Sequence, residues 1–304
     1  MKTNRNHFSL KTCVVSASAL FFTSFAAFGI PTNEIDLTNN LDTSLHTILG
    51  SYGVGGGGFV GNFVTQPAGT GVFDPFLTVN SPASDSIERG YNTNGVLYLD
   101  QQRPAWNTLL TLGQLAKVNL NGSLYYAFEL DANEPGNAKS LISIDNVRIY
   151  TSSADNTASV QNNETNLGLL GNLRWAMNDP LNQGSNYNIA QWIKLDANQN
   201  QGNGGSGISD MILYVPTDAF AGAGANDYVW FYNLNGVHYK ANGDLAATAG
   251  YEEWRAVVSV SSGGDGGGGG PQGQVPDGGS SLILLGSALA GLWAFRGKLG
   301  VQAA

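Results

Sequence analysis

Val118-Asn119-Leu120-Asn121-Gly122-Ser123-Leu124-Tyr125-Tyr126-Ala127-Phe128-Glu129-Leu130 reads as two strands joined by a tight turn. Asn-Gly accepts the positive φ that a type I′ turn needs at both central positions, and that turn matches the twist of the strands it joins. The flanking residues are largely aromatic or aliphatic, which suits a pleated, half-buried surface. The stretch predicts an all-β body.

The same pattern recurs along the chain. Asn235-Gly236 lies between the aromatic run 228–232 and Val237-His238-Tyr239, which predicts a second hairpin. Further strands are expected over 96–99, 141–144, 147–150, 192–195, 211–215 and 254–260. Residues 109–115 and 218–220 predict one helical turn each. Gly, Asn, Asp and Pro punctuate these runs, so the expected fold is an antiparallel β-sandwich of the jelly-roll kind. No repeat of fixed period appears, which argues against a solenoid or propeller.

The two ends differ from this body. Lys2, Arg5 and Lys11 precede an apolar stretch over 14–28, followed by small-residue frames ending at Ala26 and Gly29. That layout predicts a secretory signal peptide over 1–29, cleaved after Gly29 with Ala27 at the −3 position. The single Cys13 lies inside it, and Leu10-Lys11-Thr12 is unsuited to a lipoprotein signal, so the mature chain has no cysteine for disulfides or metal ligation. Residues 30–261 form the expected β-sandwich body and 262–274 a glycine-rich linker. Thirteen such residues would reach roughly 20 Å as a flexible spacer. Between 30 and 274, nine Lys and Arg face 22 Asp and Glu. An acidic surface of that kind excludes nucleic acid as a partner.

Val275-Pro276-Asp277-Gly278-Gly279 opens the last segment, 275–304. An apolar run over 282–295 and then Arg296 and Lys298 follow. Residues 279–295 predict a single transmembrane helix of marginal length, with the two basic residues as a membrane stop on the cytoplasmic side. This ordered set resembles the PEP-CTERM sorting signal in a Val-Pro-Asp variant. The resemblance implies export by an envelope-bearing bacterium that makes exopolysaccharide, and processing near the motif by exosortase, a membrane-embedded enzyme. Val275 to Gly279 would be recognition residues and the membrane anchor transient. The tail departs from the commonest form, with Asp277 and Gly278 in place of Glu-Pro. The body resembles one recurrent in PEP-CTERM proteins through Gly90-Tyr91-Asn92-Thr93, residues 126–135, 143–150, 207–216 and Glu252-Glu253-Trp254. That body group carries no assigned activity.

Candidate chemistry in the body is sparse. Gly53-Val54-Gly55-Gly56-Gly57-Gly58 satisfies G-x-G-x-x-G, but no helix is expected after it, which a dinucleotide site requires. His46 and His238 are the only histidines outside the signal, and neither accompanies a G-x-S-x-G. Glu129 and Asp131 share one face of their expected strand, about 7 Å apart at two residues' spacing, while Glu252 and Glu253 face opposite ways. The expected body is therefore not an enzyme. A glycan-active hydrolase using paired carboxylates is the second alternative. The first alternative is carbohydrate binding, with exopolysaccharide stacked on Trp175, Trp192, Trp230 or Trp254. Asp196, Asn198 and Asn200, closed by Asp210, echo a calcium loop, but Gln201 and Gly207 occupy its glycine and bidentate-Glu positions. A polar turn explains the same residues, and no other cofactor is expected. The main expectation is a non-enzymatic cell-surface or extracellular-matrix protein that is a substrate of C-terminal processing.

Overall fold

The hairpin expected over 118–130 forms. Asn121 and Gly122 have φ of 53° and 90°, and the Asn119 side chain accepts the Gly122 N–H at 2.8 Å. The structure, a computed structural model, describes residues 33–48, 52–53, 57–62, 74–81, 85–134, 140–178, 190–198, 209–248 and 250–258. The expected signal peptide, linker, transmembrane helix and sorting segment lie outside them.

Strands dominate the described residues. They are β1 (Asn33–Asp36), β2 (His46–Thr47), β3 (Tyr52–Gly53), β4 (Phe59–Asn62), β5 (Leu77–Val79), β6 (Glu88–Tyr91), β7 (Leu110–Thr111), β8 (Lys117–Leu120), β9 (Ser123–Asp131), β10 (Leu141–Ser152), β11 (Asn172–Ala176), β12 (Gln191–Asp196), β13 (Met211–Pro216), β14 (Tyr228–Asn235) and β15 (Glu252–Ala256). One sheet runs β1-β12-β10-β11-β3, with β14 on the other edge of β10 and β6 and β7 sharing the far edge of β14. The second runs β2-β4-β13-β9-β15-β5, with β8 also on β9. Pairing is antiparallel except between β1 and β12, which run parallel, so the sandwich is not purely antiparallel as expected.

Alternation along β9 shows how the layers form. Tyr126, Phe128 and Leu130 point into the core, and Ala127, Glu129 and Asp131 lie on the other face. Phe231 of β14 meets Phe128 at 5.0 Å and Trp254 at 4.7 Å between ring centroids, so the two sheets close on each other through aromatic rings. The outer face of the first sheet is buried as well. Tyr91, Tyr150, Trp230 and Tyr232 pack there under Val160, Leu167 and Leu170, which come from the short helix Thr157–Val160 and the 3-10 segment Glu164–Leu170.

Several sequence expectations change. The Asn235-Gly236 hairpin does not form. Both edges of β14 are already taken, by β10 on one side and by β6 and β7 on the other, so a returning strand has no edge to pair with. The positive φ of Gly236 instead serves a close approach: a Cβ there would overlap the Ser86 carbonyl oxygen. Residues 96–99 are not a strand, because the side chain of Thr93 caps the carbonyl of Val96 and Leu99 turns back with φ 56°. The two strands expected at 141–144 and 147–150 are one, β10, with a register irregularity between Ile144 and Asn146. The strand at 254–260 begins earlier, at Glu252, and ends at Ala256, after which Val258 makes an isolated bridge to Leu115. The helical turns occur as the 3-10 segments Leu112–Gln114 and Thr217–Phe220.

Candidate functional site

The described parts of the five body segments that carried the resemblance lie on or beside β6, β9, β10, β13 and β15, of which β6 is an edge strand and the other four are inner ones. Packing explains part of their composition. A Cβ on Gly90 would stand 2.5 Å from Val79 Cγ1. The Asn92 amide donates to the carbonyls of Thr108 and Val229, both at 3.0 Å, and its oxygen accepts the Phe231 N–H at 2.6 Å.

One end of the sandwich gathers most of the buried acids. Glu88 starts β6, Asp131 ends β9, Glu134 follows in the next turn, and Glu252 and Glu253 open β15. As alternation requires, Glu252 and Glu253 face opposite ways. Glu252 is buried against Glu88, while Glu253 stands opposite Asp131 in the β9–β15 register. Burial, and then the Asp131 charge, push the Glu253 carboxyl up to about 7, against the pull of Arg103. Burial and the neighbouring Glu88 hold Glu252 well above the usual carboxylate range. Gly250 lets the chain enter this corner: its φ is 101°, and a Cβ would overlap the Asn133 carbonyl oxygen.

The Glu129 and Asp131 pair considered for acid–base chemistry is divided by its partners. Glu129 accepts Ser209 Oγ at 2.8 Å and Arg255 Nε at 2.5 Å, so a cation already neutralises it. The acid that comes to Asp131 is Glu253, from a strand more than a hundred residues away. The alternation of β15 was the signal; its register to β9 was not available from sequence.

Nearby, the turn after β14 builds an acid–imidazole pair. His238 Nδ1 meets Asp145 Oδ1 at 2.5 Å, and its ring stacks on Trp192 at 4.3 Å between centroids. Ser143 Oγ donates to the other Asp145 oxygen at 2.9 Å, and the Val237 N–H donates to it at 2.7 Å. This serine lies on the aspartate side of the ring, whereas a triad serine would face Nε2. His46 Nε2 pairs with Asp42 at 3.1 Å, four residues earlier.

The glycine run does not lead into a helix. Gly57 accepts the Trp175 indole N–H at 3.0 Å, Gly58 packs against the same ring, and strand β4 follows. The four tryptophans offered for sugar stacking are core residues. Trp175, Trp230 and Trp254 are 0% exposed and Trp192 is 5% exposed, so none presents a face to a polysaccharide. Of the calcium-loop residues, Asp196 accepts the Asn198 N–H at 3.0 Å and Asp210 accepts the Ala132 N–H at 2.9 Å. Asp196 ends a strand of one sheet and Asp210 precedes a strand of the other. Asn200 lies outside the described residues, as do Ala27, Gly29, Val275, Pro276, Asp277, Gly278, Gly279, Arg296 and Lys298. No helix among the described residues is long and apolar enough to cross a membrane.

Residues 274–299 match the VPDSG-CTERM motif. The chain carries a PEP-CTERM-type sorting signal. Val275-Pro276-Asp277-Gly278-Gly279 opens the matched stretch, with Gly278 where the motif's name has Ser, and Lys298 lies near its end. The sorting signal points to an exported protein that is handled at its C-terminal segment. The match is confined to that segment and says nothing of the body. No curated protein and no solved structure matches the chain.

Proposed function

We propose that this is a cell-surface or extracellular-matrix protein whose tail is processed by an exosortase-type enzyme, and whose body is structural rather than enzymatic. The VPDSG-CTERM match over 274–299 carries the reading. The sequence supports the order of events. A signal peptide directs export and is cleaved after Gly29. The segment 279–295 then arrests in the membrane, with Arg296 and Lys298 resisting passage. Cleavage at or near Pro276-Asp277 frees or transfers the body. The body's last described residue, Val258, is half exposed beside Leu115. C-terminal mass spectrometry of surface material tests this: a new terminus near Pro276 is expected, and an intact Ala304 would overturn it.

Exopolysaccharide binding is a second reading, favoured by one observation. Arg103 lies over the half-buried rings of Trp106 and Tyr251, at 5.2 and 5.0 Å from their centroids. These rings sit near the surface, unlike the four core tryptophans. Sedimentation with purified matrix polysaccharide, lost in Trp106→Ala, would support it; no sedimentation by the native protein would end it.

A further inference from the structure

Residues 101–107 run along the free edge of β5 and are held there at several points. Gln101 bridges Val79, and the Gln102 N–H donates to the Thr78 carbonyl at 3.0 Å. Asn107 is 0% exposed; its oxygen accepts the Thr78 N–H at 3.2 Å, and its amide donates to the carbonyls of Gln102 and Arg103. These bonds keep Arg103 at φ 58°, a left-handed conformation that a residue other than glycine holds only where its surroundings impose it. The exposed Arg103 guanidinium therefore rests in a fixed place, against the rings of Trp106 and Tyr251. Those rings are half-buried and meet edge to face at 6.4 Å between centroids.

Three kinds of contact are offered at this spot. The exposed parts of the two rings are apolar. Arg103 forms no ion pair among the described residues, so its N–H donors face outward for a ligand. Glu253, also half-buried, follows Tyr251 by two residues. It stands opposite Thr78, which holds the loop, and opposite Asp131 on its other side. Burial, and then Asp131, push its carboxyl up to about 7 against the pull of Arg103, so above that pH it is an acceptor.

A sugar hydroxyl both donates and accepts, and the C–H side of a sugar ring is apolar. A carboxylate only accepts. It would satisfy Arg103 but meet Glu253 and Asp131 with like charge. The surrounding body is acidic too, with nine Lys and Arg against 22 Asp and Glu between residues 30 and 274. We propose that Arg103, Trp106, Tyr251 and Glu253 form a binding site for neutral polysaccharide from which acidic polysaccharide is excluded. This rests on the polysaccharide-binding reading and names its ligand class. The rings take the C–H side of a sugar, Arg103 donates to its oxygens and Glu253 accepts from a hydroxyl.

The test is affinity electrophoresis of the purified exported protein at pH 8, where Glu253 is mostly ionised. The gels contain dextran, hydroxyethyl cellulose, polygalacturonate or its neutral methyl ester. At least one neutral polymer should retard the protein, with polygalacturonate bound about tenfold more weakly or not at all. Trp106→Ala should abolish retardation, and Arg103→Gln should weaken it roughly three- to tenfold. Glu253→Gln keeps an acceptor without the charge, so it should hold the neutral polymer and bind polygalacturonate more tightly than the native protein does. Arg103 is exposed, so its variant still decides the matter if Trp106→Ala does not fold. Retardation by no polymer overturns the proposal and the polysaccharide reading together. Polygalacturonate bound as well as the neutral polymers, with the binding lost in Trp106→Ala, overturns the ligand class and leaves the reading standing. Neutral binding untouched by Arg103→Gln, or unaltered discrimination in Glu253→Gln, also overturns the proposal.

Discussion

Replacing Asn92 by Leu should be among the most damaging single changes of nearly constant volume in this chain. Asn92 follows β6, where pairing along the edge of β14 stops at Tyr91 and resumes with β7 at Leu110. Its side chain fills the gap by bonding Val229 and Phe231 of β14 and Thr108 before β7. The partners on β14 are buried, so leucine leaves two backbone groups that water cannot reach. Each orphaned buried group costs about 1–3 kcal/mol. With the loss at the Thr108 carbonyl, the total is roughly 3–6 kcal/mol. For a body of this size that lowers the melting temperature by roughly 6–24 °C, at about 2–4 °C per kcal/mol. Near-ultraviolet circular dichroism through a thermal ramp would measure it. Asn92→Asp sharpens the test, because a carboxylate can accept from Phe231 but faces two carbonyl oxygens. Burial and those carbonyls would raise its pKa, so its destabilisation should grow as pH rises and shrink as the acid is protonated. A leucine variant that melts within a degree or two of the native protein, or an aspartate variant indifferent to pH, would refute the reasoning.

Other changes follow from single contacts. Trp254→Ala empties a site that is 0% exposed and borders Phe231 at 4.7 Å, so a loss of about 3–5 kcal/mol in chemical denaturation is expected. Gly122→Ala keeps φ 90° with nothing within 4 Å of the new Cβ, so it should cost about 1–2 kcal/mol of backbone strain alone. Gly250→Ala should instead prevent recovery of soluble folded protein, because its Cβ would overlap the Asn133 carbonyl. Burial raises the Asp100 carboxyl above its ordinary value. The folded state thus holds that proton more tightly, and the contribution to stability is full below the unfolded pKa and lost as pH rises through the folded one. Asp100→Asn should therefore be neutral or stabilising at pH 7 in urea titrations, with any gain vanishing in acid.

Where local chemistry is sufficient, the amino-acid order is legible by itself. Asn121-Gly122 has open space around it, so turn preference alone decides its shape, and the hairpin forms. Asn235-Gly236 carries the same dipeptide, yet both edges of β14 are given to β6, β7 and β10. The run at 96–99 has strand composition, but the neighbouring Thr93 side chain folds it into a loop. Glu252 and Glu253 were expected to face opposite ways, and they do, because period two is a property of any strand. Which acid each would meet required the register of β15 against β9 and the approach of β6.

Sequence alone determined the sorting signal, since such an address is read in order along the chain. It also determined that the body is built of strands, through turn residues and alternation. Only the tertiary structure decided that Trp175, Trp192, Trp230 and Trp254 are core, that Glu129 is neutralised by Arg255, and that Glu88, Glu134 and Glu252 gather at one corner. Among the described residues only β8 with β9 and β10 with β11 pair as sequence neighbours. Every other contact depends on which edges remain free once distant strands have paired, and that is a property of the assembled sheets.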